Sequence, residues 1–121
     1  MATIKVKFLP SESAEKEGMI YYQIIHERKT RRILTSYYVF PNEWNRKERI
    51  AKVDKARPRR SYIYAIRDRI RWDLDRFARI TRRLDNEKTE YTCIDIVTEF
   101  ERHAMEYEIL QYVKNRVGGK H

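Results

Sequence analysis

The sequence has few residues that cross-link or bend a chain, and it has no long apolar run. It contains one cysteine, three glycines and three prolines in 121 residues. A lone Cys93 excludes an internal disulfide and fits a reducing compartment, and we expect it to be buried. No stretch approaches the roughly 20 apolar residues of a membrane span, and residues 1–10 do not resemble a signal peptide. We therefore expect a cytoplasmic domain with no membrane partner.

Residues suited to catalysis or metal binding are scattered along the chain. His26, His103 and His121 lie in unrelated segments, and no histidine or cysteine pair has the spacing of metal ligands. Nucleophilic catalysis needs a base held beside the nucleophile, and no such pair emerges. A glycine-rich phosphate loop is also missing. The sequence predicts no catalytic residue, no metal site, no cofactor and no small-molecule substrate.

Basic and apolar residues are what the chain has in abundance. Lysine and arginine number 27 against 18 aspartates and glutamates, which gives a net charge of +9. A chain with this charge is attracted to polyanions, nucleic acid first and anionic membrane surfaces second. Because 41% of the residues are hydrophobic, we expect a folded domain rather than a disordered basic tail.

The first forty residues alternate between apolar and polar, as in a half-buried sheet. The pattern predicts strands over 3–9, 18–27 and 31–39. The connections are short, the second a tight charged turn over 28–30, and this favours an antiparallel meander. The apolar residues that share the inner face are Ile4, Val6, Ile20, Tyr22, Ile24, Ile33 and Tyr37. We interpret Trp44, in the charged stretch that follows, as a local core residue.

From Ser61 the apolar period changes to three and four residues, which is typical of a helix. The stripe from Ile63 to Leu84 predicts one long helix with Ser61 as its N-cap. A Thr-x-x-Asp capping pattern at Thr92 predicts a second helix. The expected fold class is α+β, with a three-stranded antiparallel β-sheet covered by one long α-helix and followed by a further helical segment.

The outer face of the predicted sheet holds the candidate binding residues. If the helix covers the inner face, the outer face displays Lys5, Lys7, Tyr21, Gln23, Arg32 and Tyr38. Cations for phosphate, with glutamine and arginine for base edges, are the groups with which strands read a DNA major groove. An ordinary solvated sheet face would carry similar residues, so this alternative stays open.

The arginines of the long helix form a competing basic surface. We expect Arg69, Arg76 and Arg83 on the back of the helix. Aspartates 68, 73 and 75 lie among them and would be pushed against phosphate, which like-charge repulsion disfavours. A solvated helix face with internal ion pairs explains the same residues without any binding role.

Three segments and the corner that ends the third one resemble a known family. The segments are Met1-Ala-Thr-Ile-Lys-Val-Lys-Phe8, Gly18-Met-Ile-Tyr-Tyr-Gln-Ile-Ile-His26 and Arg32-Ile-Leu-Thr-Ser-Tyr-Tyr-Val-Phe-Pro-Asn-Glu-Trp44. Together with the long helix they resemble the arm-binding domain of tyrosine recombinases, the phage-type integrases of conjugative and mobilizable transposons. The Pro-x-Glu-Trp corner is the most specific element of the resemblance.

The resemblance implies a division into two domains. Residues 1–87 would form the arm-type DNA-binding domain, 88–91 a linker, and 92–121 the first helices of a truncated SAM-like core-binding domain. In the family the sheet enters the major groove of accessory arm sites and positions the recombinase for DNA integration. The DNA-binding set is then Lys5, Lys7, Tyr21, Gln23, Arg28, Lys29, Arg31, Arg32 and Tyr38. We expect Ile96 and Phe100 to be incompletely packed without the rest of their domain.

The catalytic domain of the family is not represented in the chain. Its His-x-x-Arg pair is missing, because Lys29 follows His26 and Glu106 follows His103 at that spacing. The chain is therefore expected to bind double-stranded DNA without cutting it, beside other recombinase protomers. The full-length protein would be a tyrosine site-specific recombinase. A double-stranded RNA-binding module and a protein-interaction module stay open as alternatives.

Overall fold

The chain folds as a three-stranded sheet with two helices. The computed structural model describes residues 1–13, 15–47, 50–51, 59–87 and 89–102. Its elements are β1 (Thr3–Leu9), β2 (Gly18–His26), β3 (Lys29–Val39), a short 3-10 helix (Pro41–Glu43), β4 (Trp44–Asn45), β5 (Ile50–Ala51) and α1 (Arg60–Asn86). Residues 93–102 form the described part of a second helix, α2. The order β1-β2-β3 is antiparallel throughout, which confirms the predicted α+β class.

The core lies between the inner face of the sheet and α1. One row across the sheet pairs Val6 with Tyr22 and Tyr22 with Ile33, and all three side chains are buried. The predicted stripe of α1 covers this face. Its buried members are Ile63, Ile66, Ile70, Phe77, Ile80 and Leu84. The helical period therefore placed the buried face of α1 correctly.

A β-bulge interrupts the pairing of β2 with β3. Met19 pairs with Tyr38 and Tyr21 with Leu34, so four steps along β3 match two along β2. The Thr35 hydroxyl donates to the carbonyl oxygen of Ile20 and accepts the N–H of Tyr37 at 3.0 Å. The register shifts by an even number of residues, so the alternation along β3 is preserved. Side chains that face outward before the bulge are therefore in phase with those that face outward after it.

The turn between β2 and β3 is tighter than the sequence predicts. It consists of Glu27 and Arg28, while Lys29 already pairs with His26. The backbone φ angles of these two turn residues are 50° and 68°. Two successive positive φ values fit the mirror-image turns whose twist matches the flanking strands.

The first turn of α1 is held by Arg59, so the prediction of Ser61 as N-cap is wrong. Arg59 is the N-cap residue, and its guanidinium binds Glu43 at 2.9 Å and Glu17 at 2.8 Å. Desolvation opposes the charge on Arg59, but these hydrogen bonds raise its pKa overall. These ion pairs anchor the start of α1 to two distant segments, although no described side chain caps the N–H groups of its first turn.

The Pro-x-Glu-Trp corner packs as a structural unit. Glu43 is buried, and its carboxylate also accepts the backbone N–H of Phe40 at 2.7 Å. Trp44 is buried and stacks on Phe8 with ring centroids 5.9 Å apart, as predicted for a local core residue. The corner therefore joins the end of β3 to β1 and, through Arg59, to α1.

The second helix begins where the capping pattern predicts and packs on the same core. The N–H of Thr92 donates to the Asp95 carboxylate at 2.8 Å, and the N–H of Asp95 donates to the Thr92 hydroxyl at 3.3 Å. Buried Cys93 places its Sγ 3.4 Å from the carbonyl oxygen of Lys29. Residues 103–121 of the predicted segment lie outside the described residues.

The expectation that Ile96 and Phe100 are incompletely packed is wrong. Ile96 is fully buried and Phe100 is 6% exposed. Phe100 stacks on Phe77 at 4.0 Å and meets the edge of Tyr22 at 6.2 Å. Phe100 thus finds its partners in the sheet and α1, and Ile96 belongs to the same buried cluster. Within the described ranges, no helix has the length and apolarity needed to cross a membrane.

Candidate nucleic-acid interface

The outer face of the sheet brings six side chains into two adjacent rows. In the first row Lys5 pairs with Gln23, and Gln23 pairs with Arg32. In the second row the residues are Lys7, Tyr21 and Leu34. Five of these residues are predicted binding residues, and Leu34 lies beside them. The six come from three separate segments and share one surface, which we call the outer face.

Positive charge on the outer face is not balanced by any carboxylate within it. The outward positions of β1, β2 and β3 hold Thr3, Lys5, Lys7, Leu9, Met19, Tyr21, Gln23, Ile25, Thr30, Arg32, Leu34, Ser36 and Tyr38. None of them is acidic. Among the described residues, Lys5, Lys7 and Arg32 also form no ion pair. A surface of this kind attracts anions and does not repel phosphate.

Tyr21 forms a platform for Arg32. The guanidinium carbon of Arg32 lies 4.8 Å from the centroid of the Tyr21 ring. Although Tyr21 is on the outer face, it is only 8% exposed, whereas Lys5, Lys7 and Gln23 are half-buried and Arg32 is exposed. Stacking on an aromatic face restrains a guanidinium without using its N–H donors, which stay available for a ligand.

The remaining predicted residues lie at the margins of this surface. Tyr38 is on the outer face, 45% exposed, and its carbonyl oxygen accepts the Tyr62 hydroxyl at 2.7 Å. Arg28 and Lys29 are exposed at the β2–β3 turn. Arg31 pairs with the buried Ile24, so its position belongs to the inner side of the sheet, where it is exposed at the β3 edge. The structure thus separates Arg31 from the outer-face cations.

The competing helix surface differs from the one that the sequence predicts, because Asp73 is buried. Its carboxylate accepts the hydroxyls of Tyr22 at 2.6 Å and Tyr37 at 2.7 Å. Burial, reinforced by Asp73, raises the pKa of both tyrosines. Arg76 lies 3.6 Å from Asp73 and 4.0 Å above the Phe100 ring. The placement of Arg76 on the back of the helix was therefore wrong.

Arg83 is exposed but engaged in ion pairs, so Arg69 is the member of the predicted trio that is exposed and forms no ion pair with another described residue. Arg83 contacts Glu87 and Glu99, each at 2.9 Å. The solvent side of α1 further carries Arg71, Arg79 and Arg82, interleaved with Asp68 and Asp75. The sequence does indicate that Asp73 is on the buried side of α1, since it lies three residues after Ile70 and four before Phe77, within the apolar stripe.

Within the described ranges, no group of three histidine, cysteine, aspartate or glutamate residues is placed to hold a metal ion. In comparisons with known proteins, no family model, no curated protein and no solved structure matches this chain. The resemblance to recombinase arm domains therefore stays a prediction made from the sequence.

Proposed function

We propose that this chain binds double-stranded DNA through the outer face and serves as the non-catalytic front end of a tyrosine site-specific recombinase. The observation that carries the binding proposal is the set of three cations beside Gln23 on one sheet face without a carboxylate. The recombinase part of the proposal rests on the sequence resemblance. The gene sequence downstream tests it, because a recombinase requires a His-x-x-Arg pair and a late tyrosine there.

The dimensions of the outer face support a duplex as the ligand. Neighbouring strands lie about 4.8 Å apart, so β1 and β3 are separated by about 10 Å, while the major groove of B-DNA is about 12 Å wide. In the first row, Lys5 and Arg32 flank the central Gln23. The lysine suits the phosphates at a groove wall, while Gln23 and Arg32 suit the base edges beside it.

Replacing the two strand lysines tests which surface binds. We expect Lys5→Gln with Lys7→Gln to weaken duplex binding and to reduce the log-log salt slope by up to about two units, at roughly 0.9 per phosphate contact. The matched control is Arg69→Gln with Arg79→Gln, which removes the same charge from exposed positions of α1. Fluorescence anisotropy at several salt concentrations measures both slopes. If the arginine variant reduces the salt slope and the lysine variant does not, the proposed docking is wrong.

The same titrations separate the alternatives. A double-stranded RNA-binding module would prefer an RNA duplex of matched sequence at the same salt concentration, since it recognises A-form shape and 2′-hydroxyls. A protein-interaction module would bind neither duplex with a steep salt dependence. Either result would replace the DNA proposal.

A further inference from the structure

Leu34 is the most exposed large apolar side chain of the three strands. It is 61% exposed, compared with 40% for Leu9 and 45% for Tyr38. Single exposed leucines are common on protein surfaces, so exposure alone assigns no role. The residues around Leu34 indicate which kind of ligand it could contact.

Those neighbours are the groups that the proposed function uses. Leu34 pairs with Tyr21, whose other neighbour in the row is Lys7, and Arg32 precedes it by two residues on the same face. The aliphatic side chain thus has the restrained guanidinium of Arg32 beside it along β3 and Lys7 beyond Tyr21 in its own row. An apolar protein surface pressed against this position would desolvate Lys7 and Arg32 without pairing them, which is costly. The neighbourhood favours a ligand that presents anionic and apolar groups side by side.

A DNA major groove presents such a combination at thymine. The C5-methyl group of thymine is the apolar feature of the base edges in this groove, and phosphates line both walls. Resting on the proposed DNA binding, we infer that Leu34 contacts a thymine C5-methyl group and makes the chain selective for a thymine at one position of its site. Cytosine lacks this methyl group.

The spacing of residues along β3 sets the distance between that thymine and the base that Arg32 contacts. Residues two apart on a strand are separated by roughly 7 Å, which corresponds to about two base steps of roughly 3.4 Å. Where β3 follows the groove, the thymine therefore lies within about two base pairs of the Arg32 contact. The inferred signature is thus a thymine methyl contact close to an arginine-read base.

Replacing thymidine by deoxyuridine tests the inference, because it removes only the methyl group. The probe is the duplex that the whole chain enriches from a random-sequence DNA pool, with each thymidine changed in turn to deoxyuridine. At one position we expect binding to fall about four-fold, the effect of one buried methyl-sized group. The Leu34→Ala variant should bind the unchanged duplex correspondingly more weakly and lose its sensitivity to deoxyuridine at that position.

Controls keep folding and the proposed function separate from this result. Leu34 is outward-facing and exposed, so the variant should retain its fold, and the matched Ile94→Ala variant, at a 53% exposed residue of α2, should behave like the unchanged chain. Tight duplex binding without a deoxyuridine effect, or an effect that persists in Leu34→Ala, would overturn the Leu34 inference alone. If no duplex is enriched or bound, the proposed function fails and the inference fails with it.

Discussion

Among the single residues, Asp73 is the buried carboxylate that joins α1 to the sheet. Its partners Tyr22 and Tyr37 lie 51 and 36 residues away along the chain. A buried carboxylate is tolerated only where donors surround it. The burial of Asp73 therefore depends on the two tyrosine hydroxyls and on Arg76 beside them.

Removing the Asp73 carboxylate should therefore be costly. We expect Asp73→Ala to lower the free energy of unfolding by about 3 kcal/mol, because two tyrosine hydroxyls and Arg76 would be left without a charged partner in a buried site. The control is Asp75→Ala on the exposed side of α1, which should change stability by less than about 0.5 kcal/mol. Urea unfolding measures both. Equal effects would mean that the buried network adds nothing to stability.

At the element scale, the strands, α1 and the start of α2 follow from local patterns. Alternation predicts the three strands, the three-and-four spacing predicts α1, and the capping pair Thr92 and Asp95 predicts where α2 begins. The bulge beside Thr35 and the role of Arg59 are not encoded locally. Both depend on atoms from other strands or segments, which a reading of neighbouring residues does not include. The outer face was predictable because the same apolar–polar alternation that indicates the strands also indicates which side chains face outward.

The β2–β3 turn should be improvable, since neither of its residues favours positive φ. We expect Glu27→Asn with Arg28→Gly to raise the free energy of unfolding by about 1 kcal/mol, because this pair suits a mirror-image turn. Glu27→Val should act in the opposite direction, since a β-branched residue resists the left-handed region. Thermal unfolding by circular dichroism compares the three proteins. If both variants shift the midpoint in the same direction, the turn geometry described above is wrong.

At the scale of the whole molecule, the residues around α2 share one core with the sheet. Tyr91, within the predicted linker, is buried, stacks on His26 at 4.3 Å and donates a hydrogen bond to Asp85. Arg83 joins α1 to Glu99. The division of the chain into two domains stays a prediction, but residues 91–100 contribute directly to the core of the first. Composition could not reveal this, because an apolar helix face does not specify its partner.

Buried tyrosines make the fold sensitive to alkaline conditions. Burial, aided by Asp85, raises the pKa of Tyr91 to about 12, whereas an unfolded tyrosine titrates near 10. The folded state holds this proton longer, so stability should be constant below about pH 10 and should fall as pH rises toward 12. Tyr22 and Tyr37 add to the fall. Urea unfolding from pH 8 to 11.5 should show a shallower fall for Tyr91→Phe.

The control for the alkaline experiment is Tyr64→Phe, because Tyr64 lies on α1 and is 44% exposed. This variant should lose stability with pH as steeply as the unchanged protein. A Tyr91→Phe curve parallel to both would show that proton release from Tyr91 is not coupled to unfolding.

The bulge also affects how two copies of this chain meet. With β2 in the centre, β3 is an edge of the three-stranded sheet, and an open edge invites strand addition and aggregation. The irregular pairing beside Thr35 interrupts that edge and leaves residues 29–34 as its regularly paired segment. This segment carries Lys29, Arg31 and Arg32, so a second copy aligned along it would bring cation against cation. The bulged, charged β3 edge therefore disfavours the joining of two copies of the chain along this strand.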